Sequence, residues 1–424
     1  MFKIVAPTKT LLKFLLMFKL NLSQPQMRHL INFMDALLAC DGTITIARLN
    51  NLIYHSTDQS AFTDFFTYSP WNDSQLRQNT RLSLVKWVLE ENLNSFFSEP
   101  VYITIDDSKS LKPKTSKSFD ITDWFFNTTD SHGYYYGSSF VTFHFSCGKR
   151  SIPFTVYPYL REKTVRRINR HRSKNKKIPF KSKYTIAKEI LNELSGYIPK
   201  GLPVYILFDS WYASAKLIKF CRRRSWHVIC ALKNNRKFRA KNKQIARQLS
   251  NIARYTRNRE FTSILVKSSN ASTRYWVNTK RGFLNDIKDE VSIIISKRHP
   301  KDRSPEFFMT TDLSLSAYYA LSRYTRRWVI EVDHLYLKVR LGLADFRLRS
   351  YEGIRRYFDL ICLTLAYLYW RQIEEPNTDS KRLSDVIADH RKEQQRTFLR
   401  EFGEQVLKYN SVDLALNEFY KEAA

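Results

Sequence analysis

Apolar positions in the first part of the chain recur at spacings of three and four. Leu30, Phe33, Met34 and Leu37 form one series and Leu82, Val85 and Val88 another, the repeat that gathers side chains on one face of an α-helix. Ahead of the second series, SPWNDSQLRQ carries the small polar residues that open helices. Residues 1–95 are therefore expected to be helical and to form a small unit of their own. The run LLKFLLMFKL is interrupted by Lys13 and Lys19 and is followed by no small-residue cleavage site, so it is expected to be an amphipathic helix rather than a leader.

The period changes at Val101. VYITID is a short apolar strand ending on two aspartates, and 138–145 and 152–157 are further β-rich runs joined by Cys-Gly-Lys-Arg, which reads as a hairpin. A basic connector follows. Then come a helix over 184–194, a strand VYILFD, a helix over 213–224 and a strand HVICAL. The order β-β-β-α-β-α-β begins as a hairpin-linked antiparallel set and ends as a βαβ unit, as expected of a ribonuclease-H-like core. Residues 236–305 break this pattern with a basic opening and the pieces FTSILV, RYWVN and EVSIIIS, and are expected to be an inserted β subdomain. The core resumes over 306–372 with a long helix expected at 316–340. Residues 373–424 are helical and charged, with a break at Glu375-Pro376-Asn377. The fold class is thus α/β: a ribonuclease-H-like core (96–235 and 306–372), a β-rich insertion, and helical N- and C-terminal regions.

Composition narrows the partners. Hydrophobic residues make up 43% of the chain and aromatics 14%, enough for a large core. Lys and Arg number 70 against 40 Asp and Glu, and the net charge of +30 points to a polyanion. Ribosomal and membrane-surface proteins share such a surplus, so charge alone does not choose among them. Only 10 glycines occur, where ordinary usage would give about 30, and neither G-x-x-x-x-G-K-[ST] nor G-x-G-x-x-G is found. No nucleotide cofactor is expected. Cys40, Cys147, Cys221, Cys230 and Cys362 are scattered without a C-x-x-C, which reads as reduced thiols without structural zinc. The apolar run at 360–370 is shorter than the ~20 residues a bilayer requires, so no membrane partner is expected, and with reduced thiols a soluble, cytoplasmic protein is.

Three acidic positions are candidates for chemistry, though a polar strand terminus would also account for the first. Asp106 and Asp107, each at the end of an apolar strand, project to opposite faces, so one can enter a site while the other meets solvent. Asp209 follows VYILF in a closely similar setting, where α/β sheets bind ligands, although it could equally cap the next helix. The sharper element is YTRRWVIEVDHLYLK. At about 100° per residue, Tyr324, Arg327, Glu331 and Lys338 fall within an arc of roughly 60° on one helix stripe about 21 Å long. An ordinary i, i+4 salt bridge between Arg327 and Glu331 would explain part of this.

The complete Y-x2-R-x3-E-x6-K spacing resembles the YREK signature of bacterial insertion-sequence DDE transposases, the group that includes the transposase of the Tn-five element. The resemblance spans roughly residues 100–370. It implies Asp107 in IDDS, Asp209 in FDSWY and Glu331 as catalytic, metal-binding carboxylates; Asp107 is preferred to Asp106 because the family's aspartate directly precedes Ser or Thr. Tyr324, Arg327 and Lys338 would hold phosphates of the transposon end. The cofactor implied is Mg²⁺, with Mn²⁺ able to substitute, as two ions about 3.5–4 Å apart; three carboxylates without a histidine cluster favour such hard cations. The partners implied are double-stranded DNA, as element ends and target, and a second copy of the chain in a homodimer that brings two ends together. The N-terminal region would read DNA ends or merely pack, and the C-terminal helices would serve dimerisation. The family also carries an aromatic residue that stacks on a flipped base; Phe307, Phe308 and Trp276 are candidates without an assignment. Two basic runs, 161–183 with eleven Lys or Arg and one acid and 236–247, would track phosphates. The function expected is cut-and-paste DNA transposition. The alternatives are an inactive DNA-binding descendant and a nuclease without strand transfer; a basic RNA-binding protein would leave the carboxylates unexplained.

Overall fold

The computed structural model describes residues 2–56, 58–93, 99–116, 119–126, 133–267, 272–375 and 381–420. Five helices come first: α1 (Lys9–Leu15), α2 (Gln24–Ala39), α3 (Ile46–Leu52), α4 (Gln59–Thr67) and α5 (Asp73–Leu93). In α2 the Gln26 side chain accepts from the Ser23 backbone N–H at 3.0 Å, a capping box with Pro25 in the first turn, and the apolar series Leu30, Phe33, Met34 and Leu37 is buried. LLKFLLMFKL supplies α1, with Leu11, Phe14 and Leu15 buried.

Strands β1 (Val101–Leu111), β2 (Asp123–Phe126), β3 (Tyr134–Cys147) and β4 (Arg150–Tyr159) follow. The β3–β4 hairpin turns at Gly148, whose φ of +56° suits a two-residue turn and disfavours side chains. The basic connector is not a plain loop: it begins with α6 (Glu162–Asn169) and leads into α7 (Lys183–Ser195). Then come β5 (Val204–Phe208), α8 (Ala215–Arg222) and β6 (His227–Leu232). Residues 236–305 form β7 (Lys237–Ala240), β8 (Arg247–Gln248), α9 (Leu249–Tyr255), β9 (Thr262–Lys267), β10 (Ser272–Leu284) and β11 (Val291–Lys297). Strand β12 (Glu306–Thr310) and helices α10 (Ala317–Thr325), α11 (Val329–Leu335), α12 (Tyr351–Glu374), α13 (Leu383–Tyr409) and α14 (Val412–Tyr420) complete the chain.

The strands join one mixed sheet. β3 is long enough to pair with both β4 and β2 along one edge and with β1 along the other, all antiparallel. β1 runs parallel to β5, and β5 parallel to β6. The order β4-β3-β1-β5-β6, with only β3 reversed, is compatible with a ribonuclease-H-like core. Beyond β6 the sheet continues through β12, β11 and β10, all antiparallel, so the strands of 236–305 extend the core sheet through hydrogen bonds.

Two features differ in detail from the sequence expectation. β1 does not stop at its aspartates; Asp106 and Asp107 still pair with Thr142 and Val141 of β3, and the polar residues Ser108 to Ser110 continue the ladder. The expected single helix over 316–340 is α10 and α11 joined by a 3₁₀ turn at Arg326–Trp328, and it ends in a π-helical turn at Tyr336–Arg340. Gly342 follows with φ +67°, where a Cβ would meet the Ile44 side chain at 2.6 Å.

Helices from both ends of the chain share one core. Phe14 packs edge-on to Tyr367 at 5.4 Å and Phe33 to Tyr357 at 5.5 Å, joining α1 and α2 to α12. Buried Asp35 of α2 lies 2.9 Å from His390 Nε2 of α13. The break expected at Glu375-Pro376-Asn377 falls where α12 ends, and Pro376 and Asn377 lie outside the described residues. Among the described residues no helix is long and apolar enough to cross a membrane, and all five cysteines are buried free thiols.

Candidate active site

The register of the parallel strands assembles the acids. Ile105 is the last β1 residue paired with β5, opposite Phe208. Asp106 and Asp209 therefore leave the paired region at the same level, at the carboxyl ends of the parallel strands, where the β1–β5 edge opens. Asp209 does not cap α8, a role taken by Ser214. Its Oδ1 instead accepts the backbone N–H groups of Trp211 at 3.0 Å and Tyr212 at 3.3 Å, closing the FDSWY turn and fixing the carboxylate.

Alternation along β1 separates the adjacent aspartates. Asp106 faces the irregular helix: its Oδ2 accepts from Arg327 Nη1 at 2.7 Å. Two residues on, Ser108 Oγ accepts from Lys338 Nζ at 2.8 Å. Asp107 turns the other way, and its Oδ2 lies 2.5 Å from Nζ of Lys183, the first residue of α7. Arg327 Nη2 also donates to Glu331 Oε1 at 3.3 Å. The four signature positions thus reach the site despite the 3₁₀ and π turns, Tyr324 by packing on Phe308 at 4.9 Å with the Arg327 guanidinium 5.9 Å from its ring centre.

Burial and charge set the acids apart. Burial pushes Asp106 up to about 6 against the pull of Arg327, and the Asp209 charge adds to the rise. Asp209 is raised by burial, opposed by its two backbone hydrogen bonds and helped by the charge of Asp107. Glu331 is held below its ordinary value by His334, with Arg327 adding to the effect. At 3.9 Å the His334 contact is electrostatic rather than a hydrogen bond. Burial lowers Lys338, opposed by Glu331, and raises the Tyr324 phenol well above the usual range.

Residues that sequence reasoning missed support this frame. His334 Nε2 lies 2.7 Å from Thr142 Oγ1 of β3, and Thr142 Oγ1 donates to the Asp106 carbonyl at 3.2 Å. Asp333 accepts from His144 Nδ1 at 2.7 Å and from the Tyr369 hydroxyl at 2.8 Å, all three buried. The signals were present: Asp333 and His334 follow Glu331 within the same run, and His144 interrupts the apolar strand FVTFHF. Beside the acids a groove of about 760 Å³ is lined by Tyr275, Phe307, Phe308, Tyr324, Arg327 and Trp328. Trp276, on β10, instead has its ring 6.1 Å from that of His299.

Among the described residues no three His, Cys, Asp or Glu side chains are gathered closely enough to hold a metal ion. Asp106 and Asp107 are each drawn to a cation of the chain. The donors nevertheless fit a hard divalent cation: all are carboxylate oxygens, and the acids raise one another's affinity for positive charge.

Linkage gives a stability test. Because Asp106 titrates near 6 when folded and near 3.8 when exposed, the folded protein binds more protons between these values. Its contribution to stability therefore falls as pH rises from about 4 to about 6 and stays low above that. In EDTA, Asp106→Asn is expected to stabilise the protein by roughly 2–3 kcal/mol at pH 7.5, with the gain shrinking towards pH 4. Urea denaturation across this range reads it; a variant less stable than wild type at pH 7.5 would mean that the Arg327 pair outweighs burial.

Carboxylates at the carboxyl ends of parallel strands, faced by a helix bearing Arg, Glu and Lys, define a site suited to metal-assisted chemistry on phosphates. Residues 181–368 match the family model of the transposase DDE domain, which covers Asp209, Tyr324, Arg327, Glu331 and Lys338 and begins after Asp107. The match supports a DDE transposase, a class of enzymes that act on DNA and use divalent metal ions. A comparison with curated proteins gave no match.

Proposed function

We propose that this protein is a DNA transposase of the YREK group, which cleaves the ends of a mobile element and joins the released 3′-hydroxyls to target DNA. The observation that carries this reading is the docking of the YREK helix: Arg327 on Asp106 and Lys338 on Ser108, beside Asp209. Asp107, Asp209 and Glu331 would hold Mg²⁺, two ions in the working complex. Asp107 is kept as the first ligand because it directly precedes Ser108, as in the family. Asp106, on the β1 face that meets the helix of Glu331, is the alternative, and cleavage by Asp106→Ala against Asp107→Ala decides between them. Bound metal supplies activation of the attacking oxygen and stabilisation of the leaving one.

The chain's own residues do the rest. Tyr324, Arg327 and Lys338 line the approach to the carboxylates and hold phosphate oxygens of the element end, whose charge the two cations neutralise. Asp106 positions Arg327 for that task. Water is the first nucleophile and the freed 3′-hydroxyl the second. A homodimer would hold two ends together, and the chain would work in the cytoplasm on nucleoid DNA. The excess of 30 positive charges supports a duplex partner whose affinity falls steeply with salt.

The test is Mg²⁺-dependent nicking of DNA fragments taken from the sequences flanking the gene. Tight end binding without cleavage in either Mg²⁺ or Mn²⁺ would favour the inactive descendant. Arg327→Ala is expected to weaken end-specific complexes about tenfold, since hydrogen bonds to charged groups contribute about 1.5–3 kcal/mol. Unchanged complexes in a gel-shift series would remove the arginine's assigned role.

A further inference from the structure

A second cavity, of about 560 Å³, lies at the same rim of the sheet as the carboxylates. Its floor includes Lys297, the last residue of β11, a strand that ends at the same side as β5 because two antiparallel steps separate it from β6. Lys297 is only 8% exposed. Its Nζ donates to Asn258 Oδ1 at 3.3 Å and lies 4.4 Å from the Phe261 ring centre. Among the described residues no carboxylate comes within ion-pair distance of it. Arg254 and Arg303, both exposed and likewise without an acid partner among the described residues, line the same cavity. The one acid in the lining, Asp302, accepts the backbone N–H groups of Ser304 at 2.9 Å and Arg298 at 3.5 Å, within its own turn.

A largely buried lysine whose ammonium has one amide and one ring as partners lacks its counter-charge. Three cations around one concavity indicate that an incoming anion supplies it. We propose that this pocket binds a backbone phosphate of unpaired, single-stranded DNA; this rests on the transposase reading and names a strand contact beyond it. The shape selects the single strand, because Lys297 lies in a recess that a stiff duplex passes over and a flexible strand can enter. The place selects a strand leaving the cleavage site. This cavity and the aromatic groove share Asn234, Pro305 and Phe307, and three strand spacings, about 14 Å, separate β5 from β11. Aromatic rings followed by a cation suit unpaired nucleotides of any sequence.

The test is fluorescence anisotropy in EDTA with a short single-stranded oligonucleotide and its matching duplex, for wild type and Lys297→Met. Single-strand affinity is expected to fall about tenfold. Its salt slope should become shallower by about 0.7, the share of one phosphate. Duplex affinity should stay within twofold, and the DNA-free thermal midpoint should not drop, since an uncompensated buried charge has been removed. Equal loss on both DNAs, or no loss on either, overturns the proposal. So does a lowered midpoint, which would make Lys297 structural. Inorganic phosphate that raises the wild-type midpoint, with single-strand binding unaffected by Lys297→Met, would make this a free-anion site and also overturn it. Arg254→Gln with Arg303→Gln, which leaves Lys297 in place, should likewise lower single-strand affinity and its salt slope, and no loss there also overturns the proposal. No cleavage is read, so the result does not depend on whether the carboxylates cut DNA.

Discussion

Glu331→Ala is expected to abolish metal-dependent cleavage of element-end DNA, by about 10³-fold or more, while end binding stays within a few-fold of wild type. A loss of that size corresponds to about 4 kcal/mol of transition-state stabilisation, the share expected if Glu331 holds metal. Binding should survive because Glu331 is 39% exposed and its closest charged contact, Arg327, keeps Asp106 at 2.7 Å. Removing a carboxylate also removes repulsion of the DNA backbone. Asp107→Ala and Asp209→Ala should behave alike, although Asp209→Ala also frees the two N–H groups that close the FDSWY turn. Single-turnover cleavage and gel shifts on the same protein separate the two effects. Loss of binding in all three variants would make these residues structural, and full cleavage by Glu331→Ala would end the three-carboxylate reading.

Asp333→Ala is expected to cost about 3–5 kcal/mol of stability, the largest effect of any single truncation near the site. Asp333 is 1% exposed and accepts from His144 and Tyr369, so its removal leaves two buried donors without a partner. The bond crosses from α11 to β3 and α12, so it also fixes the helix that carries Glu331. Asp333→Asn, which keeps one acceptor oxygen, should lose less. Urea denaturation of wild type and both variants measures this; a loss under about 1 kcal/mol for alanine would mean that the network is solvated or relaxes.

Those parts of the candidate site that residue type and spacing define were legible in the sequence. Asp209 announced itself as an acid closing an apolar strand, and Tyr324, Arg327, Glu331 and Lys338 by their interval along one run. The β3–β4 hairpin was legible through its turn. What escaped depends on contacts between distant segments. No local pattern tells that Phe307 will pair with Leu232, which joins the strands of 236–305, through β12, to β6. The division of labour between Asp106 and Asp107 depends on which face of β1 meets Arg327 and which meets Lys183. The 3₁₀ and π turns shift hydrogen bonds by one residue without disturbing the apolar repeat enough to be seen. β2 hides in DWFF among polar neighbours, and Asp333 looks like any polar position on a helix until Tyr369 and His144 are seen against it.

The pairing of β12 with β6 also constrains how the molecule assembles as it is made. When the ribosome has released β6, its outer edge has no neighbour, and none comes until residues 306–310 emerge. At translation rates of about 5–20 residues per second, that edge stays open for several seconds. During this interval the half-built sheet presents an apolar strand, HVICAL, to any other nascent chain, which is where misassembly would start. Glu331 emerges only after residues 306–310, so its segment joins a sheet whose β6–β12 seam can already have formed.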